Sequence, residues 1–198
     1  MPAENEEQNE AWRSLKPASA YAVRELSAAF ERADSSPDDI IDAYLFAKRQ
    51  LAQSMQALLL SQLPSSCPEF AELRAHIQAD MENRYADRIP EQFLKVPYSS
   101  KVHELLFMIL LRSIGKPVSS DKLRLANRDN VHTERRTREL RELGFNIATS
   151  ETDGARHYTL VGLDIDYAKV PELIAKAINK SGSLTEAEKE SLKGRLAE

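Results

Sequence analysis

Four arginines fall within seven positions, Arg135, Arg136, Arg138 and Arg141, in the segment TERRTRELRELGF at 133–145. A guanidinium offers planar donors that grip the edge of a guanine bidentately or hold a phosphate, so this density points to nucleic-acid contact. Lys122 and Arg128 lie upstream and Arg156 downstream, within reach of the same task. Read as a helix with Thr137, Leu140 and Leu143 turned inwards, the segment turns Glu134, Arg135, Arg138, Arg141 and Glu142 outwards. Asn130, His132 and Thr133 then stand at its amino-terminal end, where a recognition helix meets base edges. The competing reading is a merely solvated face. Glu134 with Arg138, Arg135 with Glu139, and Arg138 with Glu142 are each four residues apart and can form surface pairs worth a few tenths of a kcal/mol, roughly 0.2–0.5 each.

Other chemistries find less support. His76, His103, His132 and His157 lack partners at metal-ligand spacing, so no metal is expected. Cys67 is the only cysteine, which excludes an intramolecular disulfide, and SSCP reads as a core or loop filler rather than a nucleophile. There is no glycine-rich loop for nucleotide phosphates, and no cofactor is expected. A hydrolytic metal site needs converging carboxylates; Asp38, Asp39, Asp42 and Glu82 could supply one only by an unfamiliar geometry. The sequence therefore reads as a non-enzyme.

The elements that must position the arginines follow from periodicity. Residues 1–10 are polar and acidic and read as an irregular tail. Pro17 fits the first turn of a helix to about Ala33, with Tyr21, Leu26 and Phe30 near one face. After a break at Asp34, Ser35 and Ser36, residues 38–63 carry a stripe through Ile41, Leu45, Lys48, Leu51, Met55, Leu58 and Leu59, with one position charged, and should form the longest helix. A third helix starts at Pro68 and runs through Phe70, Leu73, Ile77 and Met81 towards Tyr85. The prolines of RIPEQFLKVPYSS mark a connector. KVHELLFMILLRSIG is then an apolar helix closed by Gly115, followed by a short extended Val118 and a helix capped by Ser119 or Ser120. After the arginine-rich segment, FNIATSE and RHYTLVG alternate as hairpin strands around a turn at Thr152, Asp153 and Gly154, with Tyr158 and Leu160 inwards. A short amphipathic helix from Pro171, a stop at Gly182, and a capping box at Thr185 and Glu188 complete the chain.

Helix, short strand, helix, helix, hairpin is the order of a winged helix-turn-helix, in which the arginine-rich helix is the reader and the hairpin the wing. Charge is distributed accordingly. Residues 1–99 carry 10 Lys and Arg against 16 Asp and Glu, residues 100–162 carry 11 against 8, and residues 163–198 carry 6 against 7. The formal net charge of the whole chain is -4, so any nucleic-acid surface is local to the middle segment.

The stretch from His103 to Gly162 resembles the winged-helix domains appended to bacterial restriction endonucleases, in which a helix of the form R-x-x-R-E-L-R precedes Gly, a short strand and a final Tyr-x-Leu. The matching positions are Arg135, Arg138, Glu139, Leu140, Arg141, Gly144, Ile147, Tyr158 and Leu160. The resemblance covers about 60 residues and does not extend to a nuclease half.

The fold expected is mainly α: an amino-terminal helical bundle at 1–95, a winged helix-turn-helix domain with a short β-hairpin at 96–163, and carboxy-terminal helices at 164–198. The function expected is non-catalytic binding of double-stranded DNA, as a transcriptional regulator or the DNA-recognition subunit of a bacterial defence system. Lys122, Arg128, Asn130, His132, Thr133, Arg135, Arg136, Arg138, Arg141 and Arg156 are the contact residues. A homodimer through the helical domain, a cytoplasmic location and no membrane association are also expected. The rivals are a protein–protein adaptor in an assembly and a nuclease with an unrecognised active site.

Overall fold

A computed structural model describes the backbone of residues 2–197 and the side chains of residues 9–197. Its helices are α1 (Pro2–Glu31), α2 (Pro37–Leu60), α3 (Pro68–Tyr85), α4 (Lys101–Arg112), α5 (Ser120–Leu125), α6 (Thr133–Glu142), α7 (Val170–Asn179) and α8 (Glu186–Gly194). The strands are β1 (Val118–Ser119), β2 (Phe145–Thr152) and β3 (Ala155–Ile165), antiparallel in the order β1-β3-β2. The mainly helical class, the hairpin and the carboxy-terminal helices are as the sequence predicts. The chain forms two compact units, residues 1–66 with 121–133, and residues 67–120 with 134–198.

The first unit is a helical hairpin of α1 and α2 together with residues 121–133. Ser36 caps α2: its Oγ accepts from the Asp39 N–H at 3.2 Å, and its own N–H donates to the Asp39 carboxylate at 2.9 Å. Pro37 follows at the first helical position, where its missing N–H costs nothing. The buried positions of the two helices are small: Ser19, Ala22, Ala29, Ala47 and Ser54. Small side chains let two helix backbones approach closely, and the larger apolar residues are displaced outwards. Gln56 fastens the 121–133 segment, donating from Nε2 to the Ala126 carbonyl at 2.8 Å and accepting from Arg128 Nε at 2.8 Å.

The structure departs from the sequence pattern at several places in this unit. Helix α1, at 30 residues, exceeds α2 at 24, and it begins at Pro2, so residues 2–10 are helical and Pro17 lies inside the helix. Pro17 lacks the N–H that an interior residue would donate. Beside it, Lys16 Nζ sits 4.8 Å from the centroid of the Trp12 ring, a contact that joins successive turns on the amino-terminal side of the proline. Tyr21 and Phe30 are not a core face: they are 51% and 67% exposed, because the hairpin closes on alanine and serine instead. Of the α2 stripe, Ile41 and Leu45 are exposed while Leu51, Met55, Leu58 and Leu59 are half-buried.

The second unit is built around α4, whose residues Leu105 to Leu110 are all buried. An uninterrupted apolar run is what a helix surrounded on every side requires. Phe107 from α4, Phe70 from α3 and Phe145 from β2 form an aromatic cluster with centroid separations of 5.1 to 5.9 Å. Helix α3 buries Phe70, Leu73, Ile77, Met81 and Tyr85, as its spacing predicts. Helix α7 buries Val170, Leu173, Ile174 and Ile178 and touches α3, so α7 completes this core, whereas α8 buries no residue. The Thr185–Glu188 capping box is present on α8.

The hairpin turns at Asp153 and Gly154, which have φ of 53° and 73°. Two successive positive φ values make the two-residue turn that matches strand twist, and Asp-Gly is suited to it. Tyr158 and Leu160 are buried, whereas the tip from Thr149 to Gly154 is exposed. Tyr158 pairs with both Val118 of β1 and Thr149 of β2, which ties the hairpin to β1 in one sheet.

Candidate nucleic-acid interface

Helix α6 has the two faces its spacing demands. Thr137, Leu140 and Leu143 are fully buried, and Arg135, Arg138 and Arg141 are exposed. The helix ends because Gly144 takes φ 91° and the chain turns directly into β2. The hairpin returns beside the helix, leaving an open groove of about 520 Å³ lined by Glu134, Arg135, Arg138, Arg141 and, from the strands, Thr149, Ser150, Glu151, Arg156 and Tyr158. Arg135, Arg138, Arg141 and Arg156 thus converge on one surface. Glu134 moderates it, lying 3.7 Å from Arg156.

The arginines differ in how they are held. Arg135 Nε donates to Glu139 Oε1 at 3.1 Å and Arg136 Nη1 donates to Glu139 Oε2 at 2.9 Å. Arg138 is 65% exposed and only 3.9 Å from the Glu142 carboxylate. Arg141 has no ion-pair partner among the described residues. Arg138 and Arg141 therefore have the guanidinium groups most available to an incoming anion.

Glu139 is the residue whose place the sequence does not disclose. The i,i+4 pattern suggests a surface pair with Arg135, yet Glu139 is 4% exposed. Its Oε2 lies 2.8 Å from Nε2 of His103, itself 1% exposed on α4. Ser100 Oγ lies 2.7 Å from Nδ1 of the same ring. A neutral His103 satisfies both contacts by accepting the serine hydroxyl at Nδ1 and donating from Nε2 to the carboxylate. Burial pushes the His103 pKa below its ordinary value, and the Arg136 and Arg74 charges act in the same direction, outweighing the pull of Glu139. Burial alone would raise the Glu139 carboxyl, but the hydrogen bonds from His103 and Arg136 and the arginine charges leave it below the usual range.

Glu142 repeats the arrangement one turn on. Tyr98 Oη donates to its carboxylate at 2.7 Å, and Lys176 of α7 lies 3.2 Å away. Burial would raise this carboxyl, and the Tyr98 and Lys176 hydrogen bonds hold it low. Burial and the neighbouring Glu142 push the Tyr98 phenol upwards. Tyr98 has φ 62°, and its ring lies 5.6 Å from that of His103.

The remaining candidates lie in the first unit. Lys122, Asn130 and His132 are exposed. Arg128 is exposed at φ 51° with Nε bound to Gln56. Thr133 is 1% exposed, and its hydroxyl donates to the Asn130 carbonyl at 2.7 Å, so it shapes the start of α6 rather than presenting a side chain outwards. Asn130 Oδ1 accepts from the His132 N–H at 2.9 Å.

Among the described residues no three His, Cys, Asp or Glu side chains are grouped to hold a metal ion. Cys67 is buried, and burial pushes its thiol up to about 11, consistent with a filler. No helix among the described residues is long and apolar enough to cross a membrane.

No curated protein and no solved structure matches the chain. Residues 104–161, which run from α4 through most of β3, match the family model described as the KpnI N-terminal domain, consistent with a domain associated with restriction endonucleases.

Proposed function

We propose that this protein is a non-catalytic double-stranded DNA-binding protein of a bacterial restriction or related defence system, with a transcriptional regulator as the nearest variant. Its reading element is a winged helix-turn-helix spanning α4 to β3, with α6 as recognition helix and the β2–β3 hairpin as wing. The observation that carries the reading is the groove between α6 and the hairpin, where Arg135, Arg138, Arg141 and Arg156 share one exposed surface. The KpnI N-terminal domain match over the same residues supports it. Phosphate contacts by Arg138 and Arg141 would give affinity, and a guanidinium seated on a guanine edge would give sequence preference. Lys122, Arg128, Asn130 and His132 are proposed as further contacts from the first unit, and residues 1–95, 96–163 and 164–198 as helical, reading and closing segments.

A gel shift with random duplex DNA at low and moderate salt tests the proposal. Binding should be present at low salt and fall steeply as salt rises, because released counterions drive it. Absence of any shift at low salt would count against DNA binding.

We further propose that the protein acts as a homodimer through the α1–α2 hairpin, since one groove of this size covers a single half-site. Tyr21, Val23, Phe30, Ile41, Tyr44 and Leu45 are all at least 45% exposed on that hairpin, large apolar side chains that self-association would cover. The same surface favours the second reading, a protein–protein adaptor, and DNA binding separates the two.

A further inference from the structure

We propose that Glu139 is a positioning residue for sequence reading: anchored by His103, it fixes the guanidinium of Arg135 in the groove between α6 and the hairpin and so makes that arginine a reader of guanine rather than a loose phosphate contact. The inference rests on the DNA-binding reading of the groove.

The geometry is that of a carboxylate gripped from three directions. His103 Nε2 approaches Oε2 at 2.8 Å, Arg136 Nη1 approaches the same oxygen at 2.9 Å, and Arg135 Nε approaches Oε1 at 3.1 Å. His103 belongs to α4, the buried centre of the unit, and is fixed at its other nitrogen by Ser100. Glu139 therefore cannot follow its arginines outwards; they must come to it. A carboxylate with 4% exposure is held at a site chosen by the core, whereas an ordinary surface pair moves with solvent.

The choice of nitrogen matters. Arg135 contacts Glu139 through Nε, which leaves the N–H groups of both terminal nitrogens unused by that bond. Those terminal nitrogens are the edge that grips O6 and N7 of guanine bidentately. The side chain remains 63% exposed while its stem is fixed, and it lines the groove. Pre-ordering one rotamer of a long side chain removes an entropic cost from recognition and disfavours alternative contacts. Arg136 does not line the groove and serves as the second clamp on the carboxylate.

Glu139 neutralises one of the two charges carried by Arg135 and Arg136. Removing that negative charge while keeping the shape should strengthen attraction to any phosphate and weaken discrimination among sequences. A protein for which Glu139 were only structural would lose binding to every duplex in proportion to lost folded protein.

The experiment compares wild type, Glu139→Gln and Arg135→Lys in the full chain. The probes are a duplex enriched by wild-type selection from a randomised library and an unselected random duplex, each titrated across salt. For Glu139→Gln the selected-to-random affinity ratio should fall about tenfold, and the salt slope on random duplex should steepen by about 0.9 for one added phosphate contact. For Arg135→Lys, an exposed substitution that keeps the charge, the ratio should fall comparably with the slope unchanged. Circular dichroism melting reports whether Glu139→Gln is folded; if it is not, Arg135→Lys alone decides. An unchanged ratio in Arg135→Lys, or in folded Glu139→Gln, overturns the positioning role while leaving DNA binding intact. Wild type that enriches no sequence also overturns it, and wild type that binds neither duplex at any salt overturns the DNA-binding reading with it.

Discussion

A β-carbon on Gly144 would lie 2.6 Å from the carbonyl oxygen of Asp166, and the Asp166 N–H donates to the Gly144 carbonyl at 2.8 Å. The end of the arginine-bearing helix and the end of the second hairpin strand are thereby in backbone contact, at a glycine with φ 91°. Both the dihedral and the approach exclude a side chain. Gly144→Ala should destabilise the fold by roughly 2–4 kcal/mol, read as a lowered thermal midpoint by circular dichroism. A midpoint equal to wild type would mean that the helix end and the strand end can separate without cost.

Acid should weaken the second unit in two steps. His103 and Glu139 both have folded pKa values below their ordinary ones, 6.5 and 4.5. The folded state therefore binds fewer protons than the unfolded state in each range. The His103 contribution is complete above pH 6.5 and is lost as pH falls below it; the Glu139 contribution is complete above 4.5 and is lost below that. Urea midpoints measured from pH 7.5 down to 4 should decline from about pH 6.5 onwards, where the histidine of the unfolded chain begins to take up its proton. In His103→Gln, which retains a donor towards Glu139, the first decline should disappear. A decline beginning only near 4.5 in wild type would contradict the buried neutral histidine.

Arg138 and Arg141 carry the least encumbered guanidinium groups on α6, so replacing both with Ala should weaken binding to random duplex DNA without loss of fold. The expected effect is a salt slope shallower by about 1.8 for two lost phosphates. Arg136→Ala should change that slope less, because its guanidinium is turned onto Glu139 and lies outside the groove. Equal effects from the two variants would remove the assignment of the groove as the phosphate track.

Self-association should run through the exposed face of the first unit's hairpin. Val23 and Phe30 are seven residues apart on α1, and Ile41, Tyr44 and Leu45 share a face on α2, all of them exposed. Phe30→Glu with Tyr44→Glu should convert a micromolar dimer to monomer in sedimentation equilibrium. A wild-type chain that stays monomeric at all micromolar concentrations would exclude the dimer.

The protein should leave linear and supercoiled DNA intact in magnesium or manganese while still shifting it in a gel. Cleavage that copurifies with the chain and vanishes on Asp42→Asn or Glu82→Gln would establish a nuclease instead.

Much of this protein is determined locally by its sequence. Helix α3, the apolar α4, the two faces of α6 and the Asp-Gly hairpin follow from 3.6- and 2-residue spacing and from dihedral constraints that act within a few residues. The position of Arg135, Arg138 and Arg141 on the outer face of α6 was legible for that reason. Tertiary structure decided what periodicity cannot encode. Alanine and serine, rather than Tyr21 and Phe30, became the seam of the first hairpin, because backbone proximity depends on the partner helix. Glu139 reads on a helical wheel as one half of a surface pair. It is buried because the His103 side chain, 36 residues earlier, supplies the donor that makes burial of a carboxylate tolerable. Lys176 reaches Glu142 only through the docking of α7, a contact no local pattern foretells.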